Sequence, residues 1–407
     1  MKIILLTAFR NLFRHKSRTG LSLLMIVSAF AALTLFKAFI DDTLKSIETV
    51  STEMQFGHYQ VALKNYWDNA QAPRKKTLLY NSEALALKLG QNSEVKSVAG
   101  RLQNFGLIST GDKTESATLL GIDVLKEPGL KSTLVMKKGV YLSDTDLDQV
   151  ILGHLLAHRL GIKLGEQLTV LSNTVDNVVN AYDLKVVGFF AASTEEVDKY
   201  FAYMPLPTLQ KILQTEGVDL LSIKINNSKN LEAFKPQLIA QVQSFDKQIE
   251  LRDWLQLSDL FRKVVKFYNS QNTIIEGILL FIVILGILNT VGMSVNERIG
   301  EIGTLRALGE SKMRLVTAFI TESLILSILG SLVGTIISLA FGHFLNYLHI
   351  ETEIPGASIP VPVSFYFTTY IFLKAFIFIV SSALVATIVP TYRGVNSNIV
   401  DALRRNI

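Results

Sequence analysis

Residues 106–114 read GLISTGDKT, close to a phosphate-binding loop. Such a loop needs a lysine directly after its second glycine, where the ammonium and successive backbone N–H groups cradle phosphate. Asp112 occupies that place and would repel the anion, so the segment reads as a hairpin turn. His154 and His158 lie four apart and could share one face of a helix, but the metalloprotease glutamate is missing and no third ligand is evident. They read as a surface pair. Asp144, Asp146 and Asp148 alternate without the glycine and glutamate of a calcium loop, so a solvated turn is expected. No Ser-His-Asp or paired-carboxylate arrangement is present. The 407 residues include no cysteine, which excludes disulfides, thiolate metal sites and cysteine catalysis. A chain without catalytic residues, resident metal or cofactor is expected.

Two other kinds of residue carry information. Glu322 and Lys374 interrupt long apolar runs, and ionisable groups in a membrane span are functional candidates. Lys374 has neighbours Phe365, Tyr366, Phe367, Tyr370 and Phe372, which resemble an interfacial belt, so it is expected to snorkel outward. Glu322 either caps or bonds an adjacent helix. The second signal is the stretch 295–314, VNERIGEIGTLRALGESKMR. Glu297, Arg298, Glu301 and Arg306 alternate with Ile302, Leu305 and Leu308, each three from the next. An apolar ridge flanked by both charge signs suits a short helix docking into another protein's groove.

The elements that hold these residues are mostly membrane spans. Hydrophobic residues make up 49% of the chain and charged residues only 18%, against roughly 25% in soluble domains. Crossing a bilayer takes ~20 mostly apolar residues. Four segments qualify: 21–41, 271–295, 315–342 and 364–389. Lys and Arg of short loops stay on the cytoplasmic side. Residues 1–20 carry five basic residues and no acid; loop 296–314 and tail 390–407 are also basic, whereas loop 343–363 carries only Glu351 and Glu353. Both termini and 296–314 are therefore expected inside, and 42–270 and 343–363 outside. The first apolar run continues past its small-x-small site, so it reads as an uncleaved span. Residues 3–16 show helical spacing and read as a basic amphipathic helix on the inner leaflet. In the third span Ser327, Gly330, Gly334 and Ser338 share one face, a packing stripe for a neighbouring helix.

Segment 42–270 holds 26 Lys/Arg and 26 Asp/Glu, so the formal +5 of the chain (14 basic against 9 acidic residues) lies entirely outside it. The basic residues flank apolar stretches rather than clustering on a folded domain, so no nucleic-acid partner is expected. About 229 residues suffice for an independent core. Strand-like runs at 57–63, 95–110, 117–122, 167–171, 184–190 and 220–225 alternate with helical stretches at 82–89, 153–160, 207–213 and 231–244, an α+β domain of one or two lobes. Residues 42–53 continue the first span as polar helix, and 251–270 read as a helix rising from the second.

The loop resembles the signature V-x-E-R-x-x-E-I-G-x-L-R-A-L-G of ABC-transporter permeases of the MacB/FtsX/LolC–LolE family. Val295, Glu297, Arg298, Glu301, Ile302, Gly303, Leu305, Arg306, Ala307, Leu308 and Gly309 match. In the tail Pro390, Arg393, Ala402, Leu403 and Arg404 match, with Asp401 for a glutamate and Ile399 for a proline. Residues 151–166 and 186–206 are similar to the family's periplasmic core. The resemblance implies one span, a large periplasmic MacB-like core domain with a helical stalk, then three spans, in the bacterial inner membrane. It implies a second permease subunit, identical or related, and a cytoplasmic ATPase pair that binds ATP and magnesium. It places the ATPase-docking coupling helix at Glu297, Arg298, Glu301, Ile302, Leu305, Arg306 and Leu308. ATP-driven closure would be relayed to the outer domain, a mechanotransmission that need not carry anything across the bilayer. Residues 57–61, GHYQV, look similar to the LolE-like, lipoprotein-releasing branch. MacB-like efflux with a periplasmic adaptor and FtsX-like control of a cell-wall hydrolase are the other readings.

Overall fold

The computed structural model describes residues 16–68, 73–227, 230–352 and 358–399. Most of the amphipathic helix expected in 1–20, and the tail positions Asp401, Ala402, Leu403 and Arg404, lie outside the described residues. The chain forms two compact units: Met1–Leu44 with Val264–Ile350 and Pro362–Ile407, and Lys45–Lys263 with Glu351–Val361.

Among the described residues four helices are long and apolar enough to cross a membrane: Thr19–Phe56 and Phe261–Glu297, which each run from one unit into the other, and Lys312–Tyr347 and Thr369–Val395 in the first unit. Their shared core includes Ile26, Phe30, Val283, Ile287, Ile379 and Ala383. Close approach of the first and third helices depends on side chains that are missing. A Cβ on Gly334 would sit 2.8 Å from Phe30, and one on Gly330 would collide with Ile26. Ser338 and Thr34 share a buried hydroxyl hydrogen bond of 2.7 Å, and Ser327 is fully buried. The stripe of small residues therefore faces the first span. Outward faces carry Ile274, Phe281, Ile336, Leu373 and Ile377, each more than half exposed, as expected of surface meant for lipid or another subunit.

The second unit is built on a mixed ten-stranded sheet. Its strands are β1 (Tyr59–Leu63), β2 (Val95–Ser109), β3 (Thr114–Ile122), β4 (Val135–Gly139), β5 (Gln149–Gly153), β6 (Gln167–Asn173), β7 (Val179–Ala191), β8 (Phe201–Pro205), β9 (Leu220–Ile225) and β10 (Ile249–Asp253). The order is β10-β1-β9-β2-β3-β8-β5-β7-β4, with β6 bridging β2 and β7. Among the described residues only the pairs β3–β8 and β5–β7 are parallel. Helices Ser82–Gly90, His154–Leu160, Leu206–Leu213 and Leu231–Phe245 cover it. Leu102, Leu119, Leu152, Val170, Val186 and Ile212 form its largest core.

The expectation for residues 251–270 changes, whereas the hairpin expected at GLISTGDKT is present. Residues 251–270 are not one helix. β10 pairs with β1 through Asp253, whose carboxylate then accepts from Gln256 N–H at 2.7 Å, a capping box that starts the short helix Trp254–Leu257. The chain breaks at Ser258 before helix Asp259–Glu297, and Trp254 packs on Phe261 at 4.6 Å. The GLISTGDKT segment lies on β2 and β3, and only Thr110–Lys113 turn. Thr110 N–H closes that hairpin on Lys113 C=O at 3.0 Å, with Gly111 at φ +90°, where glycine is favoured.

Candidate functional site

The second-span helix ends at Glu297. Arg298 leaves helical geometry (φ −95°, ψ 11°), and a short helix, Ile299–Ala307, follows. Gly309 at φ +92° ends that turn, and Ser311 caps the third-span helix by accepting from Arg314 N–H. The predicted docking helix is thus a separate element between two rigid spans.

Its predicted contact residues divide into two groups. Ile302 does not offer itself to a partner. It is 3% exposed and packs in the span core with Val295, Leu315 and Phe319, because the helix face that carries it turns inward. Arg298 and Arg306 are likewise committed to their own chain. Arg298 Nη1 pairs with Glu322 Oε2 at 3.1 Å, with its guanidinium 5.8 Å from the Phe319 ring centre. Arg306 Nη1 donates to Ser397 C=O at 2.7 Å. The outward face carries Glu297, Glu301, Leu305 and Leu308, the last 78% exposed, joined by Met313 at 72%, which sequence reasoning missed. Met313 lies outside the three-residue spacing, on the next helix, so periodicity gave no sign of it.

The two intramembrane charges are both paired. Glu322 bonds Arg298, the residue that starts the helix Ile299–Ala307, so of its two expected roles it bonds an adjacent helix. Lys374 does not simply snorkel: Nζ lies 2.6 Å from Glu276 Oε1, on the second-span helix, and Asn272 also donates to that carboxylate at 2.8 Å. Glu276 lies 98 residues from Lys374, so no local pattern joins the two.

Within the sheet unit, the end of the first-span helix is held by cations that sequence reasoning also missed. The helix Lys16–Val50 passes into a π-helical turn, Ser51–Phe56. Lys224 on β9 pairs with Glu53 Oε2 at 2.5 Å and donates to Glu53 C=O at 3.3 Å. Arg101 on β2 donates to Gln55 C=O and pairs with Glu127 at 2.6 Å. Both cations are at most 4% exposed, and cations at a helix C-terminus complement its dipole. They are 46 and 171 residues from the turn they hold, so no local pattern points to them.

The two histidines part, and Asp144, Asp146 and Asp148 all lie exposed in one loop. His158 is exposed, whereas His154 Nδ1 lies 2.9 Å from Asp198 Oδ2, a fully buried carboxylate that also accepts from Ala192 N–H at 2.7 Å. Burial pushes the Asp198 carboxyl above its usual range. Among the described residues no group of three or more His, Cys, Asp and Glu is placed to hold a metal.

Residues 273–399 match the FtsX-like permease C-terminal family model, and residues 19–241 match the MacB-like periplasmic core domain. A macrolide export ATP-binding/permease protein, MacB, of Chlorobium luteolum is 23% identical over 81% of this chain and 51% of its own. The lipoprotein-releasing system transmembrane protein LolC of Haemophilus influenzae is 19% identical over 73% of this chain and 75% of its own. LolC of Xylella fastidiosa is 25% identical over 46% of each. The chain spans about half the length of the first and last of these. The solved periplasmic region of MacB from Actinobacillus actinomycetemcomitans aligns with 54% of this chain and 96% of its own, at 17% identity and a TM-score of 0.39. One family model covers more than half the chain and the other most of the remainder, so the chain belongs to the FtsX-like permeases that carry a MacB-like periplasmic core domain.

Proposed function

We propose that the chain is the non-catalytic membrane subunit of an ABC transporter, driven by separate cytoplasmic ATPase subunits that hold ATP and magnesium. In this reading both termini and the helix Ile299–Ala307 face the cytoplasm of a bacterial inner membrane, and the sheet unit faces the periplasm. The observation that carries it is the division of the loop. One face is locked to the spans by Ile302, Arg298–Glu322 and Arg306, and the other presents Glu301, Leu305, Leu308 and Met313 outward. An element fixed on one side and open on the other can pass a push from a partner into the spans. A second permease subunit would cover part of the outward apolar faces. The substrate we favour is a lipoprotein released from the membrane, consistent with the LolC relatives; the MacB relative supports efflux with an adaptor as the second reading.

The test is Glu301→Lys combined with Leu308→Asp, two changes at exposed positions of the outward face. Burying a Leu-sized side chain is worth ~1.5–3 kcal/mol. With the reversed charge added, association with the ATPase should weaken at least ~100-fold, at ~1.4 kcal/mol per tenfold. Co-purification and ATPase stimulation in nanodiscs read the effect; an unchanged complex removes the docking role. Lipoprotein bound in the purified complex would support the first substrate, and its absence alongside a bound adaptor the second.

A further inference from the structure

Strand β2 is fifteen residues long, and its first part is paired on one side only. On one edge Ser97–Arg101 pair with β9. On the other, β3 reaches only as far as Arg101, opposite Ile122. Backbone groups along a strand alternate between its two edges. Arg101 C=O accepts from Asp219 N–H at 2.9 Å, just before β9, so odd-numbered residues point that way. Thr110 N–H donates to Lys113 C=O on the β3 side, so even-numbered residues point there. Val98 and Gly100 therefore aim their backbone groups at the line β3 would occupy had it continued.

The chain leaves that line at once. Asp123 C=O accepts from Glu127 N–H at 3.2 Å, and its carboxylate accepts from Lys126 N–H at 3.2 Å, closing a turn on itself. Among the described residues nothing else bonds Val98 on this edge. The vacated line is a groove, not solid packing. Two adjoining cavities of about 830 and 860 Å³ follow it, and Val98, Glu83, Ala86, Leu125 and Lys126 line both. Leu125 and Leu87 stand 71% and 74% exposed on its rim, and the nearby charges are of both signs.

We propose that this edge is a strand-addition site for an extended, unstructured polypeptide segment of a partner protein. The segment lies antiparallel to β2, continues the line of β3, and pairs with the main chain of Val98 and Gly100. The occupant follows from the geometry. A sheet edge with unmet N–H and C=O groups binds another main chain, and alternate side chains of the added strand then face one wall. One wall here is Ala86 and Leu87 of helix Ser82–Gly90 and the other is Leu125, so small or branched apolar residues at alternate positions fit. The mixed charge gives no preference for a strongly acidic or basic segment. The site lies wholly within the sheet unit and does not depend on the transport reading.

The test uses the full chain in detergent micelles and three capped pentapeptides of alternating threonine and valine. One is unmodified, one is N-methylated at its odd amides and one at its even amides. Saturable binding of the first peptide below about 1 mM is expected, read by isothermal titration. Main-chain pairing requires that one methylated peptide lose at least tenfold in affinity while the other stays within about twofold. Ala86→Trp, which fills the groove from a half-buried helix position, should weaken the unmodified peptide by a similar factor. No saturable binding, or equal binding of both methylated peptides, overturns the proposal. A peptide that binds Ala86→Trp undiminished overturns the location.

Discussion

The seam between the first and third spans and the interior of the sheet unit solve the same problem, close packing in a dry interior, by opposite means. In the bundle, side chains are removed: Gly330 and Gly334 let Ile26 and Phe30 approach, and the one buried cross-helix bond at that seam joins two hydroxyls, Thr34 and Ser338. In the sheet unit, charges are brought in and matched. Arg101–Glu127 is at most 5% exposed at both ends, and Asp219 is buried against Arg74 at 2.8 Å. Lipid-facing helices gain little from apolar contact with each other, so shape decides their packing. A domain in water has a hydrophobic core to anchor it and can hold ion pairs at defined points, although removing one partner is then costly.

That contrast predicts where each unit breaks. Arg101→Ala should be the most damaging, because it leaves Glu127 buried without its cation; ~3–5 kcal/mol is expected, seen as a lower denaturation midpoint of the sheet unit. The paired replacement Arg101→Met with Glu127→Leu should recover most of it. If the single change costs under ~1 kcal/mol, the pair is not truly dry. Next, Gly334→Leu should destabilise the bundle by ~1–3 kcal/mol through overpacking. Gly277→Leu on the second-span helix, where nothing lies within 4 Å, should do nothing measurable; equal effects would erase the distinction.

Arg298→Ala tests an intermediate case, since its pair with Glu322 is 11% and 18% exposed. A loss of about 1.5–3 kcal/mol is expected, the range for a hydrogen bond to a charged group, with Ile302 keeping the helix Ile299–Ala307 in place. Melting of the purified chain reads it. The smallest effect belongs to Asp198. Burial raises its folded-state pKa above the unfolded value, so the folded state binds the proton more readily. Its contribution is full below the unfolded pKa and is lost as pH rises through the folded one. Stability should therefore decline with pH above about 3.9, the ordinary aspartate value, and Asp198→Asn should flatten that decline in denaturant titrations at successive pH values.

The spans were legible because length and apolar content alone decide them. The long strand β2 and the short, wholly buried β9 were legible from their apolar, β-branched runs. β4, β5, β8 and β10 were not: VMKKG is polar and exposed, and QVILG, FAYMP and IELRD each join a helix within a residue, so their identity comes from sheet partners far along the chain. In the docking loop, spacing located the helix but not its rotation. Ile302 and Leu308 are equivalent in an apolar ridge, and only the packed spans put one inside and the other outside. The clamp of Arg101 and Lys224 was illegible for the same reason as the strand order, because it joins residues with no local relation.

The position of β1 also governs how the protein can be made. β1 follows the first span directly, yet both its neighbours, β9 and β10, come late; Tyr59 pairs with Ile223 and with Asp253. At the ribosome's pace of about 5–20 residues per second, the 194 residues from 59 to 253 take roughly 10–40 s to emerge. For that interval a tethered strand waits with both edges bare, beside a membrane its own first span has just entered. Completion of the sheet must follow the synthesis of its last strand, so a pause in translation before residue 253 would leave β1 open to wrong partners.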